Sequence, residues 1–373
     1  MDILASVARY EDDLRAEMGR EVLQEGLDEK RRKMAGKDPF PFLRATYWRW
    51  AETVLDVAPD LAHAPAVLAV GDIHLENFGT WRDADGRLVW GVNDYDEAAA
   101  MPYALDLLRL ATSGLLAGGE RGAAAIARDI LAGYAAGLEA PGAAVLDRER
   151  RPLREAVMVP EEHRADFWKG MRQKREAFEA RPKRQRPTIW PRYESALRAA
   201  MPPGAEPSRL WYRSAGLGSL GRPRWVAEAE WAGDWVIREA KGVIPSAWGR
   251  AHGGGHAIRC MEVATGRFRA PDPWYRVANG IAARRLSPNN RKIEADKLFA
   301  PGAKGLLGRD VLLGAPMLQA MGAEVAAIHL GSEGVRDAIR RHMKAQRSGW
   351  LGRLATAAAA MVEEEHRQFR RAR

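Results

Sequence analysis

The apolar run Ala66-Val67-Leu68-Ala69-Val70 stops abruptly at Gly71-Asp72-Ile73-His74-Leu75-Glu76-Asn77-Phe78-Gly79. A short apolar run closed by glycine reads as a buried strand that hands the chain to a loop. Beyond the loop, the turn-rich Asp83-Ala84-Asp85-Gly86 separates Thr80-Trp81 from Leu88-Val89-Trp90-Gly91-Val92. That pattern predicts a hairpin, which delivers the chain to Asn93-Asp94-Tyr95-Asp96-Glu97. Strand, polar loop, hairpin and acidic turn in close succession leave few ways to fold residues 66–97.

The 373 residues are 46% hydrophobic, enough to bury a core around such a unit, in two or three domains or one two-lobed enzyme. The single cysteine, Cys260, excludes an internal disulfide and offers no zinc-finger framework. A start without a basic, apolar leader and the lack of a long uncharged apolar run predict a cytoplasmic protein with no membrane span. The formal charge is +9, with 47 arginines to 11 lysines, a bias that fits a demand for bidentate phosphate-binding forks as well as it fits codon usage. The densest basic stretch, Arg172 to Arg192, carries prolines at 182, 187 and 191. It lacks any helix-turn-helix, zinc-finger or RRM-type signature, so it reads as a solvated linker rather than a nucleic-acid interface.

Helical spacing of apolar residues runs through 11–36, and Pro39 and Pro41 mark a boundary before a second helix from Tyr47 towards Val57. A helical pattern returns from Leu105 to about Leu138, and helical pieces with proline-rich connections follow to residue 209. There the composition changes. Gly216-Leu217-Gly218-Ser219-Leu220-Gly221 precedes Trp225–Trp231, the turn Ala232-Gly233-Asp234, and Trp235–Lys241, which together predict two antiparallel strands. Helical periodicity resumes over Met317–Leu330 and Trp350–Phe369.

Asp72 and Asn77 stand five positions apart on one loop, with Asp94 after the hairpin. This is the D-x-x-x-x-N spacing of a phosphoryl-transfer catalytic loop followed by a metal-binding aspartate. One carboxylate has to orient or accept a hydroxyl proton, while an amide oxygen and a second carboxylate offer hard ligands to Mg²⁺. Asp72 is therefore the candidate base, Asn77 and Asp94 are the metal ligands, and Asp96 assists metal or substrate. Either half alone is also explained by a plain Asx-turn loop. A metallophosphoesterase built on Asp72 and His74 needs more convergent ligands than the other histidines supply.

Gly216-x-Gly218-x-x-Gly221 opens a hairpin rather than a helix, which suits a lid over ATP phosphates better than a dinucleotide fold. Ser219 is no nucleophile elbow, because Leu217 stands where that motif has glycine. The phosphate cation is Lys241, with Arg238 in reserve. Three apart on one strand, the two face opposite sides, so only one enters a cleft. Glu262, in a helical-looking segment, is the candidate partner of that cation, with a solvated helix glutamate as the equal alternative.

Gly71-Asp72-x-His74-x-x-Asn77-Phe78-Gly79, Asn93-Asp94-Tyr95-Asp96-Glu97 and Asp106-Leu107-x-Arg109-Leu110-Ala111-x-Ser113 resemble the bacterial "domain of unknown function 2252" family. That family looks related to the aminoglycoside-phosphotransferase branch of the protein-kinase-like superfamily. Phe40-x-Phe42-Leu43-Arg44, the glycine-rich segment and Pro245-Ser246-Ala247 extend the resemblance over most of the chain. The resemblance implies that Asp106 braces the catalytic loop. Val70 replaces the histidine of aminoglycoside phosphotransferases, and Arg238 sits where the closer family often has lysine.

The expected fold is α+β and two-lobed, circularly permuted because the catalytic motifs precede the glycine lid. Its segments are 1–60 (helical), 61–208 (catalytic), 209–295 (glycine-rich β-lobe) and 296–373 (helices returning to the catalytic part). The expected activity is transfer of phosphate from ATP·Mg²⁺ to a hydroxyl of a small molecule. A silent nucleotide-binding scaffold and an AMP transferase are the alternatives.

Overall fold

The computed structural model describes residues 2–147, 150–158, 161–295 and 308–372, so residues 296–307 of the expected C-terminal segment lie outside the described residues. It is a mixed α+β structure with three antiparallel sheets. The apolar run forms β1 (Ala66–Ala69). The expected hairpin is β2 (Phe78–Arg82) and β3 (Leu88–Val92), paired from Phe78↔Val92 to Arg82↔Leu88. β4 (Ala99–Pro102) pairs back on β1, and β5 (Ala144–Val145) extends the hairpin into a three-stranded sheet.

The second zone forms a five-stranded sheet in the order β6 (Arg209–Tyr212), β7 (Arg224–Trp231), β8 (Asp234–Gly242), β10 (Ile281–Leu286), β9 (Arg276–Ala278). Ala232 and Gly233 take φ of 50° and 89° between β7 and β8, the left-handed pair that a tight two-residue hairpin turn requires. One face of this sheet sends Tyr212, Trp225, Ala227, Ala240 and Ile281 against Tyr193 and Leu197 of the helix Pro191–Ala200. On the other face, Trp211, Val226 and Ile237 meet Met171 of the helix Glu161–Glu179.

Two prolines expected to mark a break instead begin a helix. Asp38 accepts the Phe40 N–H at 2.9 Å and caps Pro39–Ala45, because proline at the first helical position has no N–H to lose. The basic stretch also departs from a linker. Arg172 to Glu179 continue the helix Glu161–Glu179, and of the three prolines Pro182 and Pro187 lie in the connection while Pro191 starts the next helix.

The main core joins both ends of the chain, from Ile3 to Phe369. The helix Ala315–His329 crosses the helix Ala123–Glu139 at glycines: a Cβ on Gly137 would lie 2.7 Å from the Ala323 carbonyl oxygen. That close approach brings His329 beneath β1. Among the described residues, no helix is long and apolar enough to cross a membrane.

Candidate functional site

Asp106, fully buried on the helix Tyr103–Leu116, accepts the N–H groups of Val70 (2.8 Å) and Gly71 (3.0 Å) and meets His329 Nε2 at 3.1 Å. Tyr134 lies 2.8 Å from the other ring nitrogen. A carboxylate holding two consecutive backbone N–H groups fixes the path of the chain, here at the residues leading into Asp72. Asn77 fixes the far end of the loop: its Nδ2 donates to the carbonyls of Asp72 and Asp94, both at 3.1 Å. Oδ1 of Asn77 is buried without a partner among the described residues.

Asp72 is 21% exposed and its Oδ1 accepts both Nε (3.2 Å) and Nη2 (2.5 Å) of Arg109. Arg109 is fully buried, donates to the Leu43 carbonyl and lies against the Tyr47 and Trp50 rings. Burial raises the Asp72 pKa to about 6 against the pull of Arg109. That places it where a general base works near neutrality. His74 accepts the Glu76 N–H on Nδ1, which puts its proton on Nε2. Burial, then Arg44, Arg109 and Lys292, hold its pKa well below the usual range, so it is neutral.

Lys241 stands between two carboxylates, 3.0 Å from Asp94 and 2.7 Å from Asp96. Asp94 is 37% exposed to the cleft. Burial pushes its pKa up, but Lys241, Lys292 and Arg284 outweigh it and hold the carboxyl well below the usual range. Burial and the charge of Asp94 raise Asp96. Arg222 lies 3.7 Å from Asp96 and 3.2 Å from Glu97. Glu97 also accepts the Ala247 N–H, which ties in Pro245-Ser246-Ala247.

The glycine-rich segment joins β6 to β7 and closes over these groups. A Cβ on Gly218 would stand 3.4 Å from Asp72 Oδ2 and 3.3 Å from the Arg44 carbonyl oxygen. Gly216 and Gly221 have φ of 78° and 94°, which L side chains rarely adopt. Ser219 accepts Arg224 at 2.7 Å. The segment is held from outside by the helix Gln24–Met34: Lys30 Nζ donates to the Gly218 carbonyl (2.7 Å) and Leu23 N to the Gly221 carbonyl (2.9 Å). The cleft beneath the segment, about 90 Å³, is lined by Asp72, Asn77, Asp94, Asp96, Gly216, Gly218 and Ser219 among others.

Asp72, Asn77, Asp94, Asp96, Lys241, Gly216, Gly218 and Ser219 thus meet in one cleft. Gly221 stands at its outer edge, packed on Leu27. Two expected residues stand elsewhere. Arg238 points through the opposite face of β8, donating to the Ala200 carbonyl and lying over the Trp274 ring. Glu262 pairs with Arg259 at 2.7 Å on an exposed helix turn, and the expected pairing with Lys241 is replaced by Asp94 and Asp96. Lys292, Arg222 and the Arg109–Asp72 pair were not legible as cleft groups. The one available signal was scarcity: Lys30, Lys241 and Lys292 are three of only 11 lysines.

The oxygen set suits Mg²⁺, which takes one or two carboxylates and leaves positions for water and phosphate. Asn77 offers an unpartnered oxygen, and Asp94 and Asp96 flank one ammonium. Among the described residues, no group of three or more His, Cys, Asp or Glu side chains is arranged to hold a metal by itself.

Residues 23–196 match the DUF2252 family, described as an uncharacterized protein conserved in bacteria. The match takes in Asp72, Asn77, Asp94, Asp106 and Arg109 and stops before the glycine-rich segment and Lys241. No curated protein matches the chain. No solved structure matches it either.

Proposed function

We propose that this chain is an ATP- and Mg²⁺-dependent phosphotransferase acting on a hydroxyl of a small molecule, with a kinase-like, circularly permuted arrangement similar to that of aminoglycoside phosphotransferases. The observation that carries the reading is the convergence of Asp72, Asn77 and Asp94 beneath Gly216–Ser219, with Lys241 on the third strand of the five-stranded sheet. That is where the phosphoryl-transfer template has its lysine. The permutation is supported by the helix Ala315–His329, which follows the sheet in sequence yet supplies His329 to Asp106.

In this reading Arg109 occupies Asp72 Oδ1 and leaves Oδ2, the oxygen facing Gly218, to take the acceptor's proton. Asn77 Oδ1, Asp94 and Asp96 would hold Mg²⁺, which supplies neutralisation of phosphate charge when bound. Lys241 and Lys292 add cationic charge beside them. The backbone of Gly216–Ser219 approaches phosphate without a Cβ in the way. Catalysis then rests on positioning and charge, which supply most of the rate in phosphoryl transfer.

The test is ATP consumption with Mg²⁺ and a metabolite extract, with Asp72→Asn and Asp94→Asn alongside. Turnover lost in both variants supports the reading. Equal turnover in all three proteins overturns it, and a silent wild type favours a nucleotide-binding scaffold. Adenylylated rather than phosphorylated products, read by mass, move the assignment to AMP transfer.

A further inference from the structure

Glu239, fully buried at the centre of β8, is shared by three guanidinium groups. Arg213 Nη1 reaches its Oε2 at 2.6 Å, while Arg224 Nη1 (2.6 Å) and Arg284 Nη2 (2.8 Å) meet on Oε1. The register Arg224↔Lys241 and Arg284↔Glu239 puts all these groups on the sheet face that carries Lys241. Lys174 lies one turn beyond Met171 on the helix Glu161–Glu179, which packs on Trp211 and Val226 of this sheet face, and it feels the charges of Arg213, Glu239 and Glu294. Three guanidinium groups therefore crowd one carboxylate, and the cluster runs into the cleft, because Arg224 stands opposite Lys241 and donates to Ser219.

Carboxylate pairing does not exhaust these cations. Arg213 uses only Nη1 on Glu239, and its Nε is buried without a partner among the described residues. Arg284 commits Nε and Nη2 to a single oxygen. Arg213 and Arg284 keep side-chain exposures of 18% and 25%, and Lys174 is open to solvent. Burial, opposed by Glu239, and the charges of Arg224 and Arg284 lower the Arg213 pKa, as expected where like charges crowd one another.

A purine base seeks apolar and aromatic walls. The apolar part of this face, Trp211, Val226 and Ile237, is already covered by Met171. Opposite Lys241 on β7 stands Arg224, joined through Glu239 to Arg213 and Arg284.

We propose that the Arg213–Arg284–Lys174 cluster is a subsite for an oligophosphate, the di- or triphosphate portion of a nucleotide or a free polyphosphate. The proposal builds on the group-transfer reading by naming where the donor's anionic tail is anchored. Planar guanidinium forks already fixed by Glu239 are preorganised for phosphate oxygens, and the excess charge of the cluster is matched by such an anion.

Calorimetric titration of the full chain without magnesium tests this, using tripolyphosphate, ATP and AMP as probes. Tripolyphosphate or ATP should bind, with AMP at least about tenfold weaker. Lys174→Gln and Arg213→Gln should each weaken that binding about tenfold. Lys174 makes no ion pair among the described residues, and Glu239 keeps Arg224 and Arg284 in Arg213→Gln, so neither variant leaves a buried carboxylate without a partner. Tight binding of tripolyphosphate but not ATP identifies a free polyphosphate as the ligand; equal binding of both identifies a nucleotide tail. AMP binding as tightly as ATP, or variants that bind tripolyphosphate like the wild type, overturns the proposal. Because no turnover is measured, a protein that binds tripolyphosphate through Lys174 and Arg213 yet never consumes ATP refutes the group-transfer reading alone.

Discussion

The guanidinium of Arg109 and the carboxylate of Asp72 meet at 2.5 Å, the first fully buried and the second open to the cleft through its other oxygen. One residue of the pair thus supplies a fixed charge and the other keeps an exposed basic atom. Replacing Arg109 with methionine leaves Asp72 without its partner inside the protein. Breaking a buried pair costs ~3–5 kcal/mol, so urea unfolding of Arg109→Met should show a loss in that range. A loss under about 1 kcal/mol, the level of a surface pair, would show that the contact is not made in solution.

The pH dependence follows from two groups. Burial raises Asp72 to about 6, so its basic form is lost as pH falls through 6, and turnover should fall with it. Lys292 lines the cleft, and desolvation there, opposed by Asp94, lowers its pKa to about 8. A lysine is cationic below its pKa, so its attraction for phosphate is lost as pH rises through 8. A bell between these limits is expected for kcat/KM. Lys292→Arg, which stays charged, should remove the alkaline limb only; an unchanged limb assigns it to another group.

Asn77→Ala deletes two hydrogen bonds to the carbonyls of Asp72 and Asp94 along with the unpartnered oxygen. The cost in stability should be about 1–3 kcal/mol for the carbonyls left unpaired. Asn77→Asp restores the oxygen without the donor, so it should recover Mg²⁺ affinity, by titration against thermal shift, without recovering stability.

Two glycines of one segment should respond differently. A Cβ on Gly218 points at Asp72 and Arg44 across the cleft, with its nearest atom at 3.3 Å. Gly218→Val should therefore lower turnover while thermal unfolding changes little. Gly221 has φ of 94° and packs on Leu27, so Gly221→Val should destabilise by more than about 1 kcal/mol. Equal effects on unfolding in the two variants would sink this distinction.

Tyr134→Phe removes the hydroxyl from the buried His329 ring and leaves that nitrogen unpaired. Since His329 supports the carboxylate that holds Val70 and Gly71, about 1–3 kcal/mol of stability should be lost. Differential scanning calorimetry reads this directly, and a change within noise would mean water replaces the hydroxyl.

Local pattern carried the elements around the site. The apolar run before Gly71, the hairpin and the turn at Gly233 each follow from a few adjacent residues, and alternation along β8 separated Lys241 from Arg238 before any contact was known. Groups that depend on distant packing were not legible. Helical context alone puts Glu262 within range of Lys241, but Arg259, three residues away, reaches it first. Arg109 lies in a readable stretch, yet its role depends on residues from three separate elements around it. Pro39 reads as a break or a beginning depending on whether Asp38 caps, which composition does not decide.

Lys30, lying over both the Tyr10 and Trp48 rings, reaches the Gly218 carbonyl from the far end of the sequence. A fragment cut to start beyond residue 36 would still contain every candidate catalytic group and both hairpins. It would lack the rivet that keeps the roof of the cleft in place, so expression trials that trim this end for convenience would be measuring a differently shaped cleft.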